Sequence, residues 1–301
     1  MNVPSKLIAF AVVLGVVFGA AALAGAQLGP TSQPARARSC GSAGEGVGGA
    51  QPGMAMAGMA SMHTGNGQVA SGLAVSDGSY TLAPEVTSMH PGVAARFAFR
   101  LLDGHGAVLR TGYQLDSQRL LHLIVVRRDL RDYQHLHPTR DASGTWSTPL
   151  TLTEPGVYRV YTDFQIACQR HVLAADVFVP GDFAPRPLPA PAPSAQADGY
   201  QVALASASVS SAAESQLTFQ VTRDGRPVTA LEPYLGARGH LVALRQGDLA
   251  YLHVHPLDTH AQADQIVFHA VFPSPGAYRL FLQFKTAGQV HTAAYTLEVS
   301  R

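Results

Sequence analysis

The sequence predicts an all-β chain of two tandem antiparallel β-sandwiches, and three observations carry that expectation. The stretch His122-Leu-Ile-Val-Val-Arg-Arg-Asp-Leu-Arg-Asp-Tyr-Gln-His135-Leu-His137-Pro138 is written again as His240-Leu-Val-Ala-Leu-Arg-Gln-Gly-Asp-Leu-Ala-Tyr-Leu-His253-Val-His255-Pro256, with seven of 17 positions identical. A second block repeats behind it: Pro155-Gly156-Val-Tyr158-Arg159 leads to His171, and Pro275-Gly276-Ala-Tyr278-Arg279 leads to His291, each over 16 positions. Self-similarity at fixed spacing marks a duplicated unit. Third, no segment sustains a 3.6-residue apolar period; short runs rich in aromatic and β-branched residues alternate with Gly, Asp and Pro turns. About seven such runs in about 100 residues is the size and texture of an immunoglobulin-like sandwich.

Taken in order, residues 7–27 carry no charge. An apolar run of about 20 residues is long enough to cross a bilayer, whereas a signal-peptide core is usually about 7–15. Residues 1–28 are therefore expected to be a single-pass anchor in the lipid bilayer. The alternative is a signal peptide cut after Ala22 to Ala24 or Ala24 to Ala26, giving a secreted protein. Lys6 and the terminal amine balance Arg36 and Arg38, so charge barely sets the orientation. The β-rich bulk is assigned to the extracytoplasmic side. No lipobox precedes Cys40.

Residues 29–77 form a Gly/Ala/Met-rich tether expected to be disordered. Its Gly44-Glu-Gly46-Val-Gly48-Gly49 fits the dinucleotide pattern only formally, following no strand and opening no helix. Domain 1 is expected over 78–180, with strands near 80–82, 95–102, 122–126, 157–164 and 172–179. Residues 181–198 are a Pro-rich linker, extended and semi-rigid. Domain 2 follows over 199–301, closing with a hairpin of 277–285 and 292–299.

Net charge is +1 and 14% of residues are charged. No basic stripe appears, so nucleic acid is excluded as a partner. The two cysteines, Cys40 and Cys168, form neither C-x-x-C nor zinc-finger spacing. They are able to pair if the chain is exported.

The histidines carry the chemistry. Alternation along a strand puts His135 and His137 on one face. The polar segment Arg-Arg-Asp-Leu-Arg-Asp makes 122–126 and 133–137 a hairpin centred near residue 129, which brings His122 opposite that pair. A one-residue slip would turn it to the other face. His240, His253 and His255 repeat the arrangement, with His122 expected to superpose on His240 and His137 on His255. His171 and His291 are candidates to close each ring from a neighbouring strand. Three imidazoles on adjacent strands suit Cu²⁺ or Zn²⁺, so each domain is expected to bind one ion; the bland alternative is that these histidines pin the sandwich end. Asp163 aligns with Gln283 and Cys168 with Gly288, so neither is assigned to a shared site. His90, His105, His260 and His269 have no counterpart and are expected at the surface.

In the tether, Met54, Met56, Met59 and Met62 stand beside His63. Thioethers are soft ligands that select Cu(I), and a tether has no core for them to fill. Compositional drift is the competing explanation.

HLIVVRRDLRDYQHLHP, PGVYRVYTDF and PYLGARGHLVALRQGDLAYLHVHP resemble exported or membrane-anchored actinobacterial proteins sometimes labelled heavy-metal-binding. The resemblance covers residues 78–301 and implies His122, His135, His137, His240, His253 and His255 as signature positions. It implies location and a metal, and no mechanism. The architecture is also similar, by analogy, to copper-resistance sandwiches of the CopC type. The leading expectation is a membrane-tethered extracytoplasmic metal-binding protein, with copper ahead of zinc. Behind it stands an envelope interaction module with structural histidines. A zinc hydrolase ranks last, because no acid or base matches in both copies and H-E-x-x-H and G-x-S-x-G are absent. The chain is not expected to be an enzyme.

Overall fold

A computed structural model describes residues 71–205, 209–257 and 262–301, all of it strand, turn and coil. The anchor segment, Cys40, His63, His260 and the four tether methionines lie outside the described residues. Among those described, no helix is long and apolar enough to cross a membrane.

Domain 1 is built from β1 (Tyr80–Pro84), β2 (Ala95–Asp103), β3 (Tyr113–Gln114), β4 (Leu121–Arg127), β5 (Gln134–Leu136), β6 (Thr139–Arg140), β7 (Trp146–Leu150), β8 (Gly156–Ile166) and β9 (Gln169–Val179). One sheet runs β1-β2-β7-β6; the other sets β9 against β8, then β4 with β3 along the far side of β8, then β5. A parallel bridge from Ser88 to Phe178 carries the first strand across to the second sheet. This is the strand order of an immunoglobulin sandwich.

Domain 2 repeats it with β10 (Ser194–Ala197), β11 (Tyr200–Leu204), β12 (Val209–Ser210), β13 (Glu214–Arg223), β14 (Arg226–Pro227), β15 (Gly239–Arg245), β16 (Tyr251–His253), β17 (His255–Pro256), β18 (Gln265–Val271), β19 (Gly276–Thr286) and β20 (Gln289–Ser300). Its sheets are β10-β11-β13-β18-β17 and β12-β20-β19-β15-β16, with β12 again parallel to the last strand. The Pro-rich linker is shorter than its composition implies, since Ser194 already pairs with Ala203. Ordered chain likewise begins ahead of residue 78, where Val75 accepts from Leu82 N at 2.8 Å.

The repeated Pro-Gly-x-Tyr-Arg block is a tyrosine corner. Tyr158 OH donates to Glu154 O at 2.9 Å, and Tyr278 OH to Ser274 O at 3.0 Å. Each ring is buried at the start of its strand, and its hydroxyl fixes the turn before it.

Each sandwich has its own apolar core, centred on Phe97, Phe99 and Val160 in one and Phe219, Phe268 and Leu282 in the other. A third cluster joins them: Ile124, Val126 and Tyr161 pack with Val242, Leu244, Tyr251 and Phe281. β4 is consequently buried at all seven positions. Leu123 and Val125 face the domain core, while Ile124 and Val126 face the other domain. The contacts obey a pseudo-two-fold rule. Tyr133 stacks on Phe281 at 4.1 Å, and the crosswise counterparts Tyr251 and Tyr161 lie 5.5 Å apart. Aromatic pairs of this kind add about 0.5–1.5 kcal/mol each beyond area burial.

Candidate metal centre

The β4–β5 hairpin pairs Ile124 with His135 and Leu123 with Leu136, which sets His122 across from His137. His122 shares the face of Ile124, so it points away from the domain core and toward the other sandwich. The turn closing the hairpin needs two left-handed residues, Leu130 (φ 61°) and Asp132 (φ 52°).

His122, His135 and His137 converge, with one ligand atom from each within 4.8 Å of the others. A tetrahedral ion with bonds of about 2.0–2.1 Å holds its nitrogens about 3.3 Å apart. His122 Nδ1 and His135 Nε2 are 2.9 Å apart. His240 of the second domain lies against the group, its ring 4.5 Å from that of His135 and 5.6 Å from that of His122. The three ligand candidates of the first domain are thus bordered by a histidine of the second.

The outer contacts favour one tautomer of each ring. His122 Nε2 lies 3.1 Å from Asp116 O, which can only accept. His135 Nδ1 lies 2.6 Å from Gln283 Oε1, again an acceptor. If both outer nitrogens carry their proton, both inner nitrogens present lone pairs to each other across 2.9 Å. A cation between them relieves that repulsion, and hydrogen bonds on the far ring nitrogen are how metal-binding histidines are usually oriented. His137 Nε2 is buried with no hydrogen-bond partner, as expected of an unused ligand atom.

Burial keeps these rings neutral. Desolvation lowers His122, partly opposed by the Asp163 carboxylate opposite it. His135 is held well below the usual range by desolvation, then by His240, His122 and His137 around it. Desolvation, His122 and Arg119 push His137 down to about 4. Neutral imidazole is the form that binds metal.

His171 and His291 do not join the group, which corrects the expectation that they close its ring. Both occupy the core face of the last strand, the side opposite His122. His171 Nδ1 pairs with Asp77 Oδ2 at 2.5 Å, and its ring meets Tyr80 and Phe164. His291 Nδ1 pairs with Asp198 Oδ2 at 2.9 Å beside Tyr200 and Phe284. Each clip ties the last strand to the turn before the first. The signal was present as Asp77-Gly78 and Asp198-Gly199, each just ahead of a tyrosine.

The backbones of His253 and His255 lie in β16 and β17; their side chains are outside those described. Asp163 and Gln283, set aside on the sequence because they differ, both belong to the interface. Asp163 accepts from Arg170 at 2.8 Å and from Tyr251 OH at 3.1 Å. His90 and His105 are exposed as expected, and His269 lies 3.5 Å from Glu214.

Fold and site together define a tandem immunoglobulin-type sandwich protein with a histidine cluster where its two domains meet. The chain belongs to the family described as "Domain of unknown function (DUF8832)", whose model matches residues 74–181 and again 195–301. No curated protein matches it. Among solved structures it is similar to the Escherichia coli adhesin FdeC at 15% identity, covering 74% of this chain and 64% of that one, with a TM-score of 0.25. Domains 4 and 5 of the S-layer protein SbsC align at 10% identity over 76% of this chain and 100% of theirs, with a TM-score of 0.24. The bacterial integrin-binding protein invasin aligns at 14% over 73% of this chain and 39% of its own, with a TM-score of 0.22. Scores at this level say nothing of what the chain binds.

Proposed function

We propose that this protein binds a divalent metal ion at the interface of its two sandwiches, and that it serves extracytoplasmic metal handling, with copper as the favoured ion and zinc as the alternative. His122, His135 and His137 are the ligands, and His240 stands beside the open position. The observation that carries the reading is the pair of inward nitrogens 2.9 Å apart whose outward partners are both acceptors. Imidazole sets suit Cu²⁺ and Zn²⁺ alike, so the donors do not choose between them.

In the same reading, residues 1–28 anchor the chain, and Met54, Met56, Met59, Met62 and His63 collect Cu(I) on the tether. A peptide covering residues 50–66 should bind Cu(I) and not Zn²⁺, and should lose binding on peroxide treatment. The function itself is tested in a host strain lacking the gene. Copper tolerance should fall on deletion, return with the wild-type gene, and stay low with a gene carrying His122→Phe, His135→Phe and His137→Phe. Full rescue by that triple variant would remove the site from copper handling.

A further inference from the structure

The pseudo-two-fold gives the domain interface two equivalent grooves, each between the last strand of one domain and the β4–β5 or β15–β16 hairpin of the other. The chain fills one of them itself. Tyr251 N donates to Ser71 O at 2.9 Å, Gly72 N to Val172 O at 3.2 Å, and Ala174 N to Ala74 O at 2.9 Å. The segment thereby adds to the free edge of β9. Gly72 is left-handed (φ +71°), and a Cβ there would meet Tyr161 Cδ1 at 2.7 Å and Tyr251 Cβ at 3.0 Å. Bare backbone is thus packed on the two tyrosines.

In the other groove the equivalent positions are Tyr133, Phe281, Thr292 and Ala294; among the described residues no segment hydrogen-bonds to the edge of β20 beside them, although the linker passes close by, with Pro187 O accepting from Arg131 Nη2 at 3.4 Å and Leu188 packed on the same cluster. A cleft of about 290 Å³ lies there instead, walled by Arg131 and Arg279. Comparison of the domains shows what the cleft lacks. Arg159 Nε donates to the Asp176 carboxylate at 2.9 Å. Its counterpart Arg279 finds Thr296 at the matching position and donates to that hydroxyl at 3.2 Å. Arg279 Nε and Arg131 Nε are both buried without a hydrogen-bond partner. Desolvation, with Arg131 nearby, lowers the pKa of Arg279. Of the acids at the cleft, Glu154 pairs with Arg127 and Arg186, and Asp132 Oδ2 lies 2.9 Å from Tyr158 OH; neither forms an ion pair with Arg279 or Arg131 among the described residues. A buried guanidinium N–H without a partner is costly, and a carboxylate brought by a ligand offsets that cost.

The geometry points to this groove as the docking site of an extended acidic peptide from another protein, which adds to the edge of β20 as residues 71–74 add to β9 and sets an Asp or Glu carboxylate on Arg279 and Arg131. Main-chain hydrogen bonds supply affinity in strand addition, and the side-chain pocket supplies selectivity. A backbone rather than a small anion is the expected occupant because the matching groove of the same molecule already holds one. The metal reading is not needed for this site.

The test uses the full chain and a labelled, end-capped peptide Ser-Glu-Leu-Glu-Ala, with its Lys-for-Glu counterpart, followed by fluorescence anisotropy. The acidic peptide should bind and the Lys peptide should not. Arg279→Leu should weaken binding at least about tenfold, the scale of one charge-assisted hydrogen bond. Amide exchange on the wild-type protein should slow at Ala294 when the peptide is added, a readout that needs no variant to fold. Absence of binding, equal binding of both peptides, or displacement by succinate with Ala294 unprotected would each overturn the proposal; the last would make the cleft a small-carboxylate site.

Discussion

Replacing Gln283 by Leu tests the reasoning behind the metal centre without touching a ligand. Gln283 is buried in β19, and its Oε1 lies 2.6 Å from His135 Nδ1. Leu has nearly the same volume, so the interface keeps its packing. What is lost is the acceptor that holds the His135 proton on the outer nitrogen. In Gln283→Leu the proton is free to move to Nε2 and bond to His122 Nδ1, 2.9 Å away. The metal-free protein then gains a hydrogen bond that an ion has to break. Removing an outer-shell partner of this type lowers metal affinity about 10–100-fold, which is about 1.4–2.8 kcal/mol. Competition titration against a chelator of known affinity, with Zn(II) and then Cu(II), measures the change. His135→Ala in parallel shows the larger loss expected of a ligand. Unchanged affinity in Gln283→Leu would refute the tautomer argument and leave the 2.9 Å pair as an ordinary hydrogen bond.

Other outcomes follow from the same geometry. Because burial lowers His122 and His135 and pushes His137 from 6.5 to about 4, the unfolded chain binds more protons than the folded one below pH 6.5. Metal-free stability in urea should therefore be full above about pH 6.5 and fall as pH drops toward 4; a flat profile would contradict the burial. Metal should also stay bound well below pH 6.5, where exposed histidines would have released it. His171→Asn should destabilise the protein by about 1–3 kcal/mol by leaving Asp77 and the core face unsatisfied, with metal stoichiometry unchanged; loss of an equivalent of metal would return His171 to the ligand set. Tyr278→Phe removes the corner hydrogen bond to Ser274 O and should cost about 1–2 kcal/mol in urea unfolding, while no change would mean the hydroxyl is not part of the turn's support.

The duplication, the all-β class and the hairpin that gathers His122, His135 and His137 were legible because each is local, and a period of two plus a turn fixes which faces meet. The interface was not, although its mark is in the sequence. The runs 122–126 and 240–244 are continuously apolar after the histidine, where a strand with one wet face would alternate. Ile124, Val126, Val242 and Leu244 therefore needed a second partner, which is the other domain. What the sequence does not show is that His240 lies beside the first domain's group, its ring 4.5 Å from that of His135. His171 and His291 differ from the expectation by parity: their strands point them inward beside Leu173 and Ala293, away from His122. Asp163 and Gln283 were set aside because they differ, but a pseudo-symmetric interface can use different residues at equivalent places.

The central claim is that His122, His135 and His137 hold a metal ion. Isothermal titration of the metal-free full chain with Zn(II) tests it most directly, because the thioethers of the tether do not compete for zinc. The wild-type protein should take up one more equivalent of Zn(II) than the variant carrying His122→Phe, His135→Phe and His137→Phe, with both proteins sharing the same far-ultraviolet spectrum. Equal uptake by the two folded proteins would contradict the claim and assign these histidines to the packing of the interface.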